Sequence, residues 1–479
     1  MPDLSIRMHD GTLVEVPADL NAITTYVLLE QERWFEKETG FFAVWLKPGM
    51  TAIDIGANLG VYSLPMARLV GPEGQVFAYE PASETRRLLG ISKDRNSAAN
   101  LHISGAALSD RPREGRLAFG ASSELNALGD GGAGESVAIT TLDAEDAARQ
   151  WPSIDVIKID AEGEEERILK GSARFFARHS PLVMLEIKAG DTINEKLRDA
   201  FVARGFGIYR LLGGAPVLVP MGAADPIDSF ELNLFAAKPD RADALARDGF
   251  LVKTAPAWSA ADAGGDPLAL IRTQPFGPDL VRMIGTAPVD PQYATGLAAY
   301  AAWRSPSLPW PQRFAALSFA NAAMMTACEK QPSLARLSTL ARVSLEFGAR
   351  GMSAYALKLV ADLLKRGSTR LTEPFWPGSP RFDAIAPGGK LMEWFAVAAL
   401  EQFELSATFS TRYGQSGIDL DWLAKQPFVS TEIGRRSVLR RAFAGQQTPV
   451  PKRLLTAADD HLNAELWRRG LVPNTLAGR

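Results

Sequence analysis

Short apolar runs alternate with stretches of helical periodicity between residues 51 and 237. The runs are rich in β-branched and aromatic residues and are bounded by Gly, Pro, Asn or Asp, which is typical of buried strands. This alternation predicts about seven strands with interleaved helices, and hence a doubly wound, Rossmann-like α/β sheet. The predicted strands cover residues 51–55, 75–79, 101–107, 154–159, 181–187, 206–212 and 230–237.

The N-terminal residues show two further patterns. Residues 4–17 alternate between apolar and polar positions, which predicts a hairpin. Residues 24–38 have the spacing of a helix, with Trp34 on its apolar side. We expect this part to cover one end of the sheet, where it either forms a lid over a ligand or simply packs.

The pattern changes in the second half of the chain, where proline-rich sequence gives way to helical periodicity. Two amphipathic helices, predicted over residues 334–347 and 352–366, resemble one tetratricopeptide-type hairpin. A single hairpin cannot bury its apolar face, so it must pack on neighbours. The predicted divisions are a sheet domain at 1–240, a linker region at 241–312 and an α-helical accessory domain at 313–479.

The first predicted strand ends in a turn of small residues that opens a helix. The N–H groups of such a turn point at whatever lies above the sheet edge. Gly56 and Gly60 remove side chains where a ligand would meet the backbone. Their Gly-x-x-x-Gly spacing differs from the Gly-x-Gly-x-x-Gly of dinucleotide enzymes. Asp54, just before the turn, is awkward beside a pyrophosphate and suits a ligand with a positive amino or sulfonium group.

A second acidic residue follows the next strand. Glu80 comes directly after Gln75–Tyr79, and Pro81 turns the chain out of the sheet. A carboxylate at this place, one βαβ unit on, typically holds the two hydroxyls of a ribose. The ordered pair of turn and acid therefore favours a nucleoside-containing ligand over the alternative, a generic α/β unit with two solvated acids.

Five motifs, in order and in register, resemble those of FkbM-type S-adenosylmethionine-dependent methyltransferases across about residues 25–240. The motifs are Asp54–Gly60, Glu80–Pro81, Ala107–Asp110, Thr141–Asp143 and Lys158–Gly163. The resemblance implies S-adenosyl-L-methionine as the cofactor, antiparallel pairing of the last two strands, and adenine near the exit of the third. The cofactor-binding residues that it implies are Asp54, Gly56, Ala57, Asn58, Gly60, Glu80, Ala107 and Asp110.

Methyl transfer to a hydroxyl needs a base within hydrogen-bond reach of that hydroxyl. None of the four histidines lies in the strand-end motifs, so we predict carboxylates, namely Asp160, Glu162 and Glu186, as the catalytic residues. Their convergence would raise one pKa to make a base, or it would offer oxygen ligands to a hard divalent cation. Metal-free action is predicted because histidine or cysteine support is lacking. Capping of the following helix is the structural alternative for Glu162.

Composition narrows the functional classes. A net charge of −3 with dispersed Lys and Arg gives no electrostatic reason to expect nucleic acid. The single Cys328 excludes an intrachain disulfide and a thiolate zinc site, and it fits a reducing compartment. No apolar segment reaches the length of a membrane span, and the N-terminus lacks a signal-peptide pattern. A cytoplasmic protein is expected.

The sequence thus predicts an S-adenosylmethionine-dependent O-methyltransferase. By resemblance only, the acceptor is a hydroxyl of a sugar, glycan or other polyol, and the helical domain would bind a carrier or a glycosyltransferase. Hydroxyls of natural products are the alternative within the family. Two other classes stay open: a nicotinamide oxidoreductase, which fits the fold but not the glycine spacing, and a non-catalytic binding scaffold. Titration with the methyl donor and with NAD separates the three classes.

Overall fold

The structure is a computed structural model of the chain. It describes residues 3–118, 120, 127–129, 134–189, 192–222, 225–262, 266–284, 289–446 and 449–470.

The N-terminal residues form a hairpin followed by two helices. Strands β1 (Asp3–Arg7) and β2 (Leu13–Pro17) pair antiparallel, and helices α1 (Ile23–Gln31) and α2 (Glu38–Trp45) follow. The single helix predicted over 24–38 is therefore wrong in its extent. It stops because Glu32 adopts a left-handed conformation with φ of 55°, which few non-glycine residues do. The chain then leaves α1 abruptly and runs as an irregular segment before α2.

Strands and helices alternate through the middle of the chain, as the apolar pattern predicts. Between residues 51 and 237 the elements are β3 (Thr51–Ile55), α3 (Ser63–Val70), β4 (Gln75–Tyr79), α4 (Ser83–Arg95), β5 (Leu101–Ser104), β6 (Ala107–Leu108), β7 (Arg113–Ala118), β8 (Ala127–Gly129), β9 (Glu135–Thr140), α5 (Leu142–Arg149), β10 (Val156–Ile159), α6 (Glu165–Lys170), α7 (Ala173–Arg178), β11 (Leu182–Glu186), β12 (Lys188–Ala189), β13 (Thr192–Ile193), α8 (Glu195–Val202), β14 (Gly207–Leu211), β15 (Leu218–Pro220) and β16 (Asn233–Ala237).

Eight of these strands form one mixed sheet in the order β15–β14–β16–β11–β10–β3–β4–β5. The five from β11 to β5 run parallel, and β16 lies antiparallel between β11 and β14. The predicted methyltransferase-type sheet and the antiparallel pairing of its last two predicted strands are confirmed, and the short edge strand β15 is an addition. Strand order reverses between β3 and β10, so a ligand site is expected there.

A second, smaller sheet lies beside the first and was not predicted. Its described strands run in the order β6–β9–β7–β8. The glycine-rich composition of residues 119–136 predicts a surface loop, but β8 and the start of β9 fall within it. Most of the remaining residues of the predicted loop lie outside the described ranges. Glycine content concealed the strands because their pairing is set by neighbours rather than by local propensity.

The rest of the chain is helical. Its helices are α9 (Pro239–Arg247), α10 (Ala269–Arg272), α11 (Gly277–Ile284), α12 (Pro291–Trp303), α13 (Trp310–Lys330), α14 (Leu334–Phe347), α15 (Arg350–Lys365), α16 (Leu391–Ala407), α17 (Leu420–Leu423), α18 (Thr431–Phe443) and α19 (Ala464–Arg468). Among the described helices, none combines the length and the apolar character that a membrane crossing requires. The predicted hairpin corresponds to α14 and α15, and its likeness to a tetratricopeptide repeat stays a prediction.

The helical half (residues 291–470) shares buried surface with the sheet half. Val438, Leu439 and Trp467 belong to the same apolar core as the N-terminal hairpin and α1. Buried ion pairs cross the same boundary: Arg435 lies 3.6 Å from Glu32, and Arg436 lies 3.8 Å from Glu30. Leu212, Val217 and Val219 of the sheet half are buried in the core of the helices. The predicted domain boundaries stay predictions, but these contacts couple the two halves physically.

A chain truncated after residue 245 should therefore aggregate, although the aromatic content of the helical half by itself favours a soluble fragment. Truncation would expose apolar core residues and would leave Glu30 and Glu32, both fully buried, without their arginine partners. Breaking a buried pair of this kind costs about 3–5 kcal/mol. Solubility and circular dichroism of the purified fragment test this. A soluble, cooperatively melting fragment would show that the sheet half folds alone.

Candidate active site

A cavity of about 520 Å³ opens at the carboxyl ends of β3, β4, β10 and β11. This is the place where strand order reverses, and its volume is that of a small-molecule site. The strand ends are joined around it by the start of α1, residues 34–36, strands β7 and β8, and Phe409 with Tyr413 from the helical half. Of the two alternatives for the N-terminal part, the structure shows that it lines the cavity.

The glycine turn (residues 56–62) brings backbone rather than side chains against the sheet. Gly56 has a φ of 77°, and the N–H groups of Gly56 and Ala57 both donate to the Tyr79 carbonyl oxygen at 3.1 Å. A Cβ on residue 56 would lie 1.7 Å from the carbonyl oxygen of Asp160. Only glycine meets both conditions, so the turn is held against β4 and the end of β10 at once.

Glu80 fastens the glycine turn to the end of β4. Its carboxylate accepts hydrogen bonds from the Asn58 N–H at 2.9 Å and from the Ala82 N–H at 2.8 Å. Burial raises the pKa of Glu80 to about 7, and these two hydrogen bonds oppose the rise. A carboxylate offers about four acceptor positions, so Glu80 keeps acceptor capacity toward the cavity.

Lys158 is a buried cation in the wall of the cavity. Its Nζ lies 2.7 Å from Asp160 Oδ2 and 3.7 Å from Asp54 Oδ1, because the parallel register sets Lys158 opposite Asp54. Burial favours the neutral amine, but the carboxylates of Asp160 and Asp54 outweigh it and raise the pKa of Lys158. Lys158 therefore stays charged and compensates part of the negative charge around it.

Asp160 and Glu186 form an acid pair at the ends of two neighbouring strands. Their carboxyl groups share a hydrogen bond, and one oxygen of each lies within 4.8 Å of an oxygen of Glu162. Burial acts against the charge of Asp160, but the Lys158 ammonium more than offsets it and lowers the pKa of Asp160. Burial, and then the Asp160 charge, raises the pKa of Glu186 well above its usual value. At neutral pH the pair holds an ionised Asp160 and a protonated Glu186.

Glu36 ties the irregular segment after α1 to the glycine turn and to β16. It accepts hydrogen bonds from Trp34 Nε1 at 2.8 Å, the Tyr62 hydroxyl at 2.6 Å and Asn233 Nδ2 at 2.7 Å. Burial raises its pKa. A segment held through three donors is fixed in place over the cavity rather than left to find its position when a ligand binds.

Most of the predicted site residues meet in this cavity. All three predicted catalytic residues line it, and so do six of the eight predicted cofactor-binding residues: Asp54, Gly56, Ala57, Asn58, Glu80 and Ala107. The other two do not. Gly60 turns toward α4, where a Cβ would lie 2.4 Å from Leu89 Cδ1, so its role is close packing. Asp110 is exposed and pairs with Arg113 at 3.0 Å, because the chain bends outward after β6.

The helix-capping alternative for Glu162 is taken by another residue. Glu165 Oε1 accepts the N–H groups of Ala161 at 2.9 Å and Gly163 at 3.1 Å, so it satisfies the donors ahead of α6. Glu162 itself is exposed at the cavity, with a φ of 48°. Its side chain is thus placed beside the acid pair rather than under the helix.

Several lining residues were missed from the sequence, among them Phe35, Glu36, Lys188, Phe409 and Tyr413. Lys188 carries a detectable signal, since it follows a predicted strand that ends at the sheet edge. Phe35 and Glu36 lie inside the helix predicted over residues 24–38, so that prediction concealed them. Phe409 and Tyr413 carry none, because they are more than 170 positions from the last sheet strand and reach the cavity only through tertiary packing.

The residues present fit S-adenosylmethionine, the cofactor that the resemblance implies. Asn58 Oδ1 is buried and lacks a hydrogen-bond partner among the described residues, which is costly unless a ligand supplies a donor. Asp54 Oδ1 is also buried without a hydrogen bond, and the Lys158 ammonium 3.7 Å away is its charge partner. Acids also outnumber bases around the cavity, so a ligand carrying a sulfonium and an ammonium group is compensated there. The lining acids are Glu36, Asp54, Glu80, Asp160, Glu162, Glu164 and Glu186, against Lys158 and Lys188.

Solved methyltransferase structures resemble the chain only distantly. A putative rRNA methylase from Clostridium thermocellum shares 10% identity over 43% of this chain and 94% of its own, with a TM-score of 0.28. An S-adenosylmethionine-dependent O-methyltransferase from Thermotoga maritima shares 16% identity over 42% and 64%, with a TM-score of 0.24. A putative methyltransferase from Streptococcus mutans in complex with S-adenosylhomocysteine shares 12% identity over 43% and 98%, with a TM-score of 0.25. TM-scores this low do not establish a shared function. No curated protein matches the chain.

The match to a family is more informative. Residues 54–207, about a third of the chain, match the model of the methyltransferase FkbM domain. The matched range begins at Asp54 before the glycine turn and includes Glu80, Lys158, Asp160 and Glu186. It therefore spans the strand ends that form the cavity, and this chain contains an FkbM-type methyltransferase domain and is an S-adenosylmethionine-dependent methyltransferase.

Proposed function

We propose that the domain transfers a methyl group to a hydroxyl of a sugar or another polyol. The observation that carries the proposal is the acid pair at the cavity wall, where one carboxyl oxygen each of Asp160, Glu162 and Glu186 lie within 4.8 Å of one another and Lys158 Nζ lies 2.7 Å from Asp160 Oδ2. The Lys158 ammonium lowers the pKa of Asp160, whereas burial raises the pKa of Glu186. An ionised carboxylate accepts a hydrogen bond from a hydroxyl, and a protonated one donates to a neighbouring oxygen. A ligand with adjacent hydroxyls satisfies both groups.

In this proposal the donor is held by Asp54, Gly56, Ala57, Asn58, Glu80 and Ala107. The cofactor, when bound, supplies a methyl group activated by a sulfonium. The Asp160 carboxylate accepts a hydrogen bond from the acceptor's O–H and orients an oxygen lone pair. It takes up the proton as the new O–C bond forms and the donor's S–CH3 bond breaks, with a neutral thioether as the leaving group. Lys158 keeps Asp160 ionised before the reaction. Glu162, exposed at the cavity mouth, offers the proton a route to solvent.

The proposed function extends to an acceptor class, a partner for the helical half and a cellular compartment. A natural-product hydroxyl is the alternative acceptor, since an acid pair does not choose between polyols. A carrier or a glycosyltransferase that delivers the acceptor would bind the helical half. The buried Cys328 suits a reducing compartment, and we place the protein in the cytoplasm.

The linkage of the transferred methyl group tests the proposed chemistry. Purified protein is incubated with radiolabelled S-adenosylmethionine and, in separate reactions, nucleotide sugars, free sugars and polyols. We expect label in a product that survives mild alkali, as an ether does. Release of labelled methanol in alkali would instead identify a carboxyl acceptor, and label recovered on nitrogen would likewise contradict O-methylation. Donor binding without transfer to any acceptor would favour a binding scaffold.

Glu80→Ala should weaken donor binding by about 2–5 kcal/mol, because two charge-assisted hydrogen bonds to the ribose are lost. Calorimetry with S-adenosylhomocysteine measures this. Glu84→Gln, at an exposed acid in the first turn of α4, is the matched control and should bind as the wild type does. Unchanged affinity in Glu80→Ala would remove Glu80 from the donor site.

The raised pKa of Glu80 also predicts a pH dependence. Its folded value of about 7 lies above the ordinary 4.5, so its contribution to the free energy of unfolding is fully present below pH 4.5 and is lost as pH rises through about 7. Ribose hydroxyls prefer the ionised form, so donor affinity should rise with pH between 6 and 8. Glu80→Gln should flatten that rise.

A further inference from the structure

Three aromatic rings from distant parts of the sequence meet at the cavity. Phe35 comes from the segment after α1, whereas Phe409 and Tyr413 follow α16 in the helical half, and all three line the cavity. The ring centroids of Phe35 and Phe409 lie 5.2 Å apart, and those of Phe35 and Tyr413 lie 6.2 Å apart. Phe35 and Phe409 are half-buried, and Tyr413 is 51% exposed. We call these three rings the aromatic wall.

Arg350 holds one end of the aromatic wall in place. Its guanidinium lies 4.2 Å from the centre of the Phe409 ring. It also donates hydrogen bonds, each of 2.9 Å, to the carbonyl oxygens of Leu405, Ser406 and Thr408. These carbonyls belong to the C-terminal end of α16, where a cation is favoured. The backbone that carries Phe409 is therefore fixed before any ligand enters.

The N-terminal helix α1 holds the other side of the same backbone. Gln31 Nε2 donates to the Phe409 carbonyl oxygen at 2.7 Å, and Glu30 accepts the Thr411 N–H at 3.0 Å. The Tyr26 hydroxyl lies 2.9 Å from Thr411 Oγ1. All three α1 residues are buried. Residues 409–413 are thus clamped to the sheet half rather than attached to it loosely, and their rings keep a fixed position at the cavity.

The aromatic wall and the acid pair give the cavity two chemically different sides. The acids offer hydrogen-bonding groups, whereas the aromatic side chains are apolar and the faces of their rings carry partial negative charge. A pyranose matches both, because its hydroxyls radiate from the ring edge while one face consists of weakly positive C–H bonds. An acyclic polyol has the hydroxyls but no such face. The wall therefore distinguishes two acceptors that the acid pair treats alike.

We propose that Phe35, Phe409 and Tyr413 stack on the C–H face of a sugar ring and make the helical half part of the acceptor site. This deepens the proposed function and rests on it. The helical half then acts as a specificity-determining wall of the active site as well as a surface for other proteins.

Saturation-transfer NMR in the presence of S-adenosylhomocysteine tests the wall directly. The probes are methyl hexopyranosides and, as the matched acyclic compounds, hexitols. We expect pyranoside C–H signals in the wild type and weaker hexitol signals. Tyr413→Ala and Phe409→Leu should each weaken pyranoside binding about three- to ten-fold, the range expected for one aromatic contact. Tyr413→Trp, which keeps a ring at this position, should bind as the wild type does.

Tyr355→Ala is the matched control, since Tyr355 is also exposed (58%) and lies on the helical half outside the cavity. Thermal melting and S-adenosylhomocysteine affinity establish that each variant is folded. Absence of pyranoside binding to the wild type would contradict the proposed role of the aromatic wall. Unchanged pyranoside binding in both Tyr413→Ala and Phe409→Leu would contradict it as well. A selective loss of S-adenosylhomocysteine affinity in Tyr413→Ala would assign the rings to the donor and would overturn it too.

Different results would contradict the proposed role of the aromatic wall and the proposed reaction. Pyranoside binding that depends on Tyr413, without methyl transfer to any hydroxyl, contradicts the reaction and supports the wall. Ether formation with the same acceptor KM in the wild type, Tyr413→Ala and Phe409→Leu supports the reaction and contradicts the wall.

Discussion

Gly56→Ala should abolish detectable binding of S-adenosylmethionine and lower the melting temperature of the protein. The new Cβ would lie 1.7 Å from the Asp160 carbonyl oxygen, and backbone atoms cannot rotate away as a side chain can. Residue 56 also has a φ of 77°, which costs a non-glycine residue about 1–2 kcal/mol. Relieving the clash must move the glycine turn away from β10, and the turn carries Asn58, which lines the cavity.

Calorimetry of donor binding and thermal melting measure the two effects of Gly56→Ala. Gly205→Ala is the matched control, because Gly205 has a similar φ of 82° but nothing within 4 Å of its Cβ position. Gly205→Ala should lower the free energy of unfolding by the backbone strain alone, and it should bind the donor as the wild type does. Wild-type donor affinity in a folded Gly56→Ala protein would show that the turn does not hold the donor.

Asp160→Asn should reduce kcat by about 10²–10⁴-fold, the usual contribution of a positioned acid or base. The amide cannot take up the acceptor proton. The change also leaves Lys158 without its 2.7 Å partner and Glu186 without the neighbouring charge that helps raise its pKa. Donor affinity should change little if Asp160 acts on the acceptor. Single-turnover kinetics with a labelled donor, together with calorimetry, separate the two quantities.

Asp110→Asn is the control for this substitution, since Asp110 is exposed outside the cavity and should leave kcat unchanged. Equal losses of kcat and donor affinity in Asp160→Asn would make Asp160 a donor ligand and would place the base elsewhere.

Metal dependence gives a further check on the acid pair. Asp160, Glu162 and Glu186 are spaced closely enough to hold a divalent cation. However, Lys158 Nζ already lies 2.7 Å from Asp160 Oδ2, and burial together with the Asp160 charge raises the pKa of Glu186, so a cation would compete with both the ammonium and a proton. We therefore expect activity to survive EDTA at millimolar concentration. Loss with EDTA and recovery with Mg²⁺ would mean that the acids act as metal ligands.

The sequence was sufficient to predict which residues lie together at the ends of β3 and β4, because these residues are close to one another along the chain. A strand, a turn of small residues and the acid after the next strand lie within one βαβ unit. Parallel strands bring such ends to the same edge of the sheet whatever the rest of the chain does. The prediction that Asp54, Gly56, Asn58 and Glu80 lie together follows from this, and the structure brings all four to one cavity. Gly60 was grouped with them because a glycine that packs against α4 looks the same in sequence as one that a ligand requires.

Two features of the cavity depend on tertiary structure alone: the charges of the acid pair, and the position of Phe409 and Tyr413. Which member of the acid pair is ionised depends on Lys158, whose side chain lies between Asp54 and Asp160 only because β10 pairs with β3 in one particular register. Phe409 and Tyr413 reach the cavity because buried contacts with α1 clamp their segment to the sheet half. Contacts between residues about 380 positions apart leave no periodicity or spacing in the sequence, since they arise from how the sheet half and the helical half pack together. The sequence thus predicted a donor site at the strand ends, and packing determined the shape and charge of the cavity that forms there.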